Sequence, residues 1–580
     1  MMTSNYARRR FLRQSALGTA LAAFPGLLLA NGGTQKSAAT PGFKPDVELE
    51  FTARQAYVPI LANGPATEVQ KFYATLLKGP LNTLRQLPGN YLGPVLNLQK
   101  GQKVRVFFTN NLSEPTIIHW HGLHVPQHSD GHPMYSIQPG EQFVYEFEVL
   151  NRAGTSLYHS HAHDLTAEQV YRGLAGLITI SDENETGLEL PDGEFDLPLV
   201  IQDRSFNAKN QLQYLHAMHE RVMGFLGDTI LVNGKPNAEF TVKTRAYRFR
   251  AVNGSNSRIY KLGWEDGTPL IAIGTDAGLL ARPETRPYIM LAPGERIDLW
   301  LDFSGRTVGS KLMMFSLPYS GVMPAMYDKM LNRQGGGGMG MMRHSLPQGA
   351  KFPIATFNVS EKIGDSPKLP EKLAPFRRLT VNDADNAEQP LPIAISMQQM
   401  TPVLNGKTFV MDRVMDFEKV ALGSFKLIRI FHDHGDHNGH GGTGMMRNRH
   451  GAGEGTESGG HSMGGMMMGG MNHPREKQAE EGGRGMGGMG GGMMDMAHPI
   501  HLHGQQFQII GRKKAGVRVA DYETVEDGFI DTGWKDTVLV MPGETVDIIK
   551  PFQDYKGLFL YHCHNLEHED LGMMRQFLIG

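Results

Sequence analysis

The chain has 580 residues, too many for one ordinary domain; at ~100–200 residues per domain it holds about three or four. Its 57 basic and 59 acidic residues leave a formal net charge of −2, which excludes the positive field of a nucleic-acid binder or a protein drawn to anionic membrane surfaces. One cysteine excludes an intramolecular disulfide, while 70 Gly and 33 Met crowd into particular stretches.

At the N-terminus, Arg8-Arg9-Arg10-Phe11-Leu12-Arg13 precedes an apolar run from about Ala16 to Ala30. A basic region followed by a short apolar run reads as an export signal, and the paired arginines before Phe-Leu resemble a twin-arginine signal. Pro25 breaks the run, and no later stretch of about 18 apolar residues follows, so no stable membrane span is expected. We expect a leader over 1–45, cut after Ala30 or Ala39, and a periplasmic protein with the twin-arginine translocation machinery as partner. That route would carry a chain already folded around its metal.

Short β-rich runs then alternate with Gly, Pro and Asn, as at Lys103–Thr109, Phe143–Val149, Tyr247–Val252 and Thr545–Lys550. This spacing predicts all-β sandwiches and no long amphipathic helix. Pro139-Gly140-Glu141, Pro293-Gly294-Glu295 and Pro542-Gly543-Glu544 each lead into an alternating strand, so three similar sandwiches are expected. We place them at 46–190, 191–365 and 366–580.

A second repeat joins only the first and third units. Ile118-His119-Trp120-His121-Gly122 echoes Ile500-His501-Leu502-His503-Gly504, and Leu157-Tyr158-His159-Ser160-His161 echoes Leu560-Tyr561-His562-Cys563-His564. The middle unit, with His216, His219 and His344 but no His-x-His, reads as a spacer without metal, and Asn233-Gly234 marks a hairpin turn in it. Gly335–Met342 is a short Gly/Met tract, and a Met/His/Gly-rich insertion runs over 432–496, with too few other apolar residues to bury a core.

Four His-x-His pairs result. Residues i and i+2 of a strand share a face, so each pair can aim two imidazoles at one place, and eight imidazoles can serve several metals. Cys563 lies between His562 and His564, with His568 five residues on and Met573 ten on. Two His and one Cys in a plane with a weak axial Met suit a copper electron-transfer site. Cys563, His568 and Met573 lack one histidine, and His498 is the natural candidate.

These motifs, in this order, resemble those of the multicopper oxidases. The resemblance implies three cupredoxin-like Greek-key domains and four copper ions as cofactors. It implies a type 1 copper on His498, Cys563 and His568 with Met573 axial, and a type 2 copper on His119 and His501. It implies a type 3 pair on His121, His159, His161, His503, His562 and His564. Its activity would be oxidation of a reductant coupled to four-electron reduction of O2 to water, in a monomer. Asp130 and Glu569 occupy places that resemble the family's proton-delivering acids.

For the reductant, the insertion between Phe425–Phe431 and His498 is informative, because thioethers are soft ligands that select Cu(I). The pattern resembles the periplasmic cuprous oxidases of copper tolerance. Those carry an acid four residues before the type 1 histidine and a Met two before it; here Met494 and Met496 hold those places, with Asp495 between them. These three are the candidates for Cu(I) capture. A laccase-like oxidase of phenols or other small organic reductants, and a copper-sequestering protein, are the alternatives.

Overall fold

The computed structural model describes residues 37–215, 218–324, 345–398, 400–433 and 495–580. The twin-arginine motif, the 335–342 tract, His216, His344, Met494 and all of the insertion except its two ends lie outside the described residues.

The three units share one strand pattern. In the first, Val47–Val58 runs parallel to Lys103–Asn111, which pairs antiparallel with Gln142–Glu148. In the middle unit Asp196–Arg204, Ala246–Asn253 and Arg296–Asp302 repeat this order. In the third, Leu391–Gln398, Ser424–His432 and Thr545–Phe552 do so again. A second sheet of five strands covers each of these, giving three Greek-key sandwiches in an all-β fold. Along Lys103–Asn111, Val104, Val106 and Phe108 alternate inward, and each sandwich closes over its own apolar core.

The Pro-Gly-Glu repeats have a physical reason. The glycines take φ of 81°, 80° and 76°, a left-handed turn that favours Gly. Each Glu then staples its own turn: the amides of Gln138, Ala292 and Met541 donate to Glu141, Glu295 and Glu544 at 2.9, 2.7 and 3.0 Å. The expected hairpin is present, with Asn233 and Gly234 at φ 50° and 75° between paired residues Val232 and Lys235. The longest described helix, Thr166–Arg172, has seven residues.

Register places the histidines. Ile118–His119 pairs antiparallel with Gly154–Ser160 so that His119 faces His159, and His498–Leu502 pairs with Gly557–Cys563 so that His501 faces His562 and Ile500 faces Cys563. Behind this last strand, the buried Glu418 carboxylate accepts from Tyr561 Oη at 2.5 Å and from Arg575 at 2.9 and 2.6 Å. Glu418→Ala strands the Arg575 charge in the interior; we expect a loss of about 3–5 kcal/mol, read from the denaturant midpoint.

Candidate metal centres

Cys563 ends the strand Gly557–Cys563, and the short helix Leu566–Asp570 follows directly. Cys563 Sγ lies 3.5 Å from His498 Nδ1 and 3.7 Å from His568 Nδ1. The other nitrogen of His568, Nε2, donates to the Val222 carbonyl at 2.8 Å, which leaves Nδ1 as a lone pair turned to the sulfur. Met573 is buried in the same core as Cys563, and its carbonyl accepts from the Cys563 amide at 3.0 Å. Burial lowers His498 and His568, the latter to about 4, so both rings are neutral donors at neutral pH. Burial pushes the Cys563 thiol far up, and the Asn565 amide 3.4 Å away opposes this only in part. A soft cation on the sulfur would reverse that penalty, so the donor set fits copper.

The other eight histidines meet between the first and third units, and all are buried. His161 Nε2 and His503 Nε2 lie 3.4 and 3.2 Å from His562 Nε2. His121 Nδ1 lies 3.4 Å from His159 Nε2, and His564 packs its ring against both. His119 and His501 turn Nδ1 outward to the carbonyls of Asp130 and Asp536, at 2.5 and 2.9 Å. Among the described residues, Nε2 of His119, Nε2 of His501 and both nitrogens of His564 are buried without a hydrogen-bond partner. Desolvation lowers His119, His121, His159, His161, His501, His503 and His564, taking His159 to about 4. Converging neutral imidazoles with orphaned inward nitrogens are costly in a protein interior and fit cations bound among them. Several of the trios already hold their donor atoms within 4.8 Å of one another, among them His161, His503 and His562.

Both expected acids touch this cluster. Asp130 Oδ2 accepts from His503 Nδ1 at 2.7 Å; burial raises its pKa, with the Lys550 ammonium opposing. Glu569 Oε2 lies 3.0 Å from His562 Nδ1 and Oε1 lies 3.5 Å from His161 Nε2. Burial would raise Glu569, but the imidazoles of His562 and His161 outweigh it and hold the carboxyl at about 2.

Family models described as multicopper oxidase match residues 68–185 and 490–580, the two regions that hold these histidines. The McoA multicopper oxidase from the hyperthermophile Aquifex aeolicus superposes with a TM-score of 0.68 at 28% identity, over 94% of this chain and 99% of that one. The chain belongs to the multicopper oxidases. A multicopper oxidase of Staphylococcus haemolyticus is 28% identical over 85% of this chain and 83% of that protein. A laccase of Bacillus subtilis is 28% identical over 84% of this chain and 88% of that protein. As a multicopper oxidase the chain binds copper and is an oxidoreductase that takes a reductant and O2. No described helix is long and apolar enough to cross a membrane.

Some of the multicopper oxidase site was missed by sequence reasoning. Asp536 lies against the cluster: Oδ1 is 3.1 Å from His121 Nε2, and Thr537 Oγ1 is 3.2 Å from His501 Nδ1. The middle unit, expected to be a spacer, supplies the Val222 carbonyl to His568 and Arg296 to Asp536. Glu567, beside His568, accepts from Tyr214, Asn256 and the Phe225 amide at 2.8, 2.8 and 3.1 Å. Of the Cu(I)-capture candidates, Asp495 is half-buried, and Met496 packs in an apolar cluster with Met290, Met323 and Met541.

Proposed function

We propose that this multicopper oxidase is a four-copper cuprous oxidase acting in copper tolerance, a monomer exported to the periplasm by the twin-arginine route. Its sandwiches span about 46–190, 191–365 and 366–580. In this reading His498, Cys563, His568 and Met573 would hold the type 1 copper, and His119 and His501 would hold the type 2 copper. The type 3 pair divides into His161, His503 and His562 on one side and His121, His159 and His564 on the other. Bound copper supplies one-electron oxidation of the reductant and four-electron reduction of O2 to water.

The chain's own groups shape that chemistry. His562-Cys563-His564 carries ligands of both centres on consecutive residues of one buried segment. Asp130 and Glu569 stand at the cluster's edge with opposite biases: burial raises Asp130 and favours a proton donor, while the facing imidazoles lower Glu569 and favour a proton acceptor. The burial of every ligand excludes bulk water.

The observation that carries the Cu(I) reading is where the Met/His/Gly-rich segment joins the fold. The segment leaves the strand Ser424–His432 and returns at Met496, two residues before His498. His432 Nε2 lies 3.1 Å from the Met496 carbonyl, and the His432 and His498 rings are 5.8 Å apart, so both ends meet beside the Cys563 centre. The segment's sequence is rich in soft thioethers, which favour Cu(I) as substrate over a phenol. The test is O2 uptake by copper-loaded protein with Cu(I) or a phenol as reductant, before and after deletion of 435–493. Deletion is expected to lower Cu(I) turnover about tenfold or more, the value of one ~1.4 kcal/mol interaction, while phenol turnover holds or rises. Unchanged Cu(I) turnover would defeat the cuprous reading and favour a laccase-like one.

A further inference from the structure

One ring of the cluster is reversed relative to its neighbours. The nitrogens that face inward on His119, His159, His161, His501, His503 and His562 are all Nε2. His121 instead turns Nδ1 toward His159 and points Nε2 away, 3.1 Å from Asp536 Oδ1. A neutral imidazole has one donor and one acceptor nitrogen, and the hydrogen bond made by one selects which remains to bind a metal. A reversed ring therefore needs an acceptor fixed in place, and Asp536 is that acceptor.

Asp536 is itself held by a residue of the middle unit. Arg296 is fully buried, and all five of its N–H donors are used. Nε donates to the Thr155 carbonyl of the first unit at 3.2 Å. Nη1 donates to the Gly294 carbonyl at 2.8 Å and to Asp536 Oδ1 at 2.7 Å, while Nη2 donates to the Asp276 carbonyl at 2.8 Å and to Asp536 Oδ2. All three units thus meet on one guanidinium. Gly122, next to His121, is adapted to the pair: its φ is +87°, and a Cβ there would lie 2.6 Å from Arg296 Nη2 and 2.8 Å from Asp536 Oδ2. The His-Trp-His-Gly motif needs its glycine because this ion pair fills the space.

We propose that Arg296 is a positioning residue for the copper cluster: its two-pronged grip on Asp536 holds His121 with Nε2 outward and Nδ1 toward the metal. The proposal rests on the ligand assignment above. It replaces the spacer reading of the middle unit with one in which that unit orients a ligand supplied by the first unit, through a carboxylate supplied by the third.

The test uses the full-length protein, equilibrated with copper alone. Copper per chain, the type 3 absorption and the blue colour of the Cys563 centre are compared in wild type, Arg296→Met and the charge-neutral double variant Arg296→Met/Asp536→Leu. Both variants are expected to bind cluster copper about 10–100-fold more weakly while keeping the blue colour. The double variant separates orientation from charge balance. If the pair only neutralises buried charge, removing both partners restores the cluster; if it orients His121, the loss persists. Full cluster copper in either variant, or parallel loss of blue colour and cluster copper in both, would overturn the proposal. A wild type that takes up fewer than four coppers would instead overturn the ligand assignment, and the placement of Arg296 with it.

Discussion

Cys563→Ser is expected to abolish both the blue colour and oxidase turnover, while copper at the eight-histidine cluster is retained. The sulfur is fully buried, 3.5 and 3.7 Å from two imidazole nitrogens whose opposite faces are already fixed or enclosed. A serine oxygen is a hard, smaller donor that stays protonated there, so it can replace neither the thiolate's softness nor its charge. Cluster copper should survive because Cys563 is not among the cluster's donors, and Ile500 and His501, paired across the sheet with Cys563 and His562, are unchanged. Absorption spectra, copper analysis and O2 uptake on the same sample check all three points. Turnover within tenfold of wild type would remove Cys563 from the path by which the reductant's electrons enter.

The second large effect is expected at the two acids. Asp130→Asn and Glu569→Gln should each lower kcat by about 10²–10⁴-fold, the usual worth of a positioned proton donor or acceptor, with copper content and blue colour kept. The amides preserve shape and can still meet His503 or His562, so loss of turnover would report proton transfer and not collapse of the cluster. The two should differ in the step they slow. Burial raises Asp130 and so favours a carboxyl that can release a proton, which Asn cannot do; the imidazole neighbours lower Glu569 and favour a carboxylate that can accept one, which Gln cannot do. Single-turnover reoxidation by O2, measured beside steady-state uptake, separates these steps. A kcat within twofold of wild type in either variant would strike that residue from the proton route.

The sequence made most of the metal chemistry legible, because its geometry is local. His-x-His on a strand and His-Cys-His before a short helix are spacings of a few residues, and strand register converts them directly into converging side chains. The three Pro-Gly-Glu turns were legible for the same reason, each being closed by its own glutamate. Arg296 and Asp536 were not legible. They are 240 residues apart, and neither stands at a motif spacing from a histidine of its own unit that would betray the pairing. The Val222 carbonyl carries no side-chain signal at all. Composition gave the middle unit no ligands, which is a different matter from having no part in the site. For Met496 the spacing suggests a substrate ligand, and the structure places its side chain in a buried apolar cluster that also holds Met290, Met323 and Met541.

The helix Leu566–Asp570 has a consequence for the order in which the protein can be built. Within five residues, Glu567 takes bonds from Tyr214 and Asn256, His568 binds the Val222 carbonyl, and Asp570 accepts from the Thr166 and Ala167 amides at 3.1 and 3.0 Å. Every one of those partners is translated hundreds of residues earlier. The first two sandwiches can therefore fold during synthesis with their polar groups waiting, but neither centre has a complete set of donors until the stretch from His562 through this helix docks. Such long loops close slowly, so the last step of folding and the first moment of metal competence coincide. A nascent or clipped chain that lacks the stretch from His562 onward would carry much of the fold and neither complete donor set.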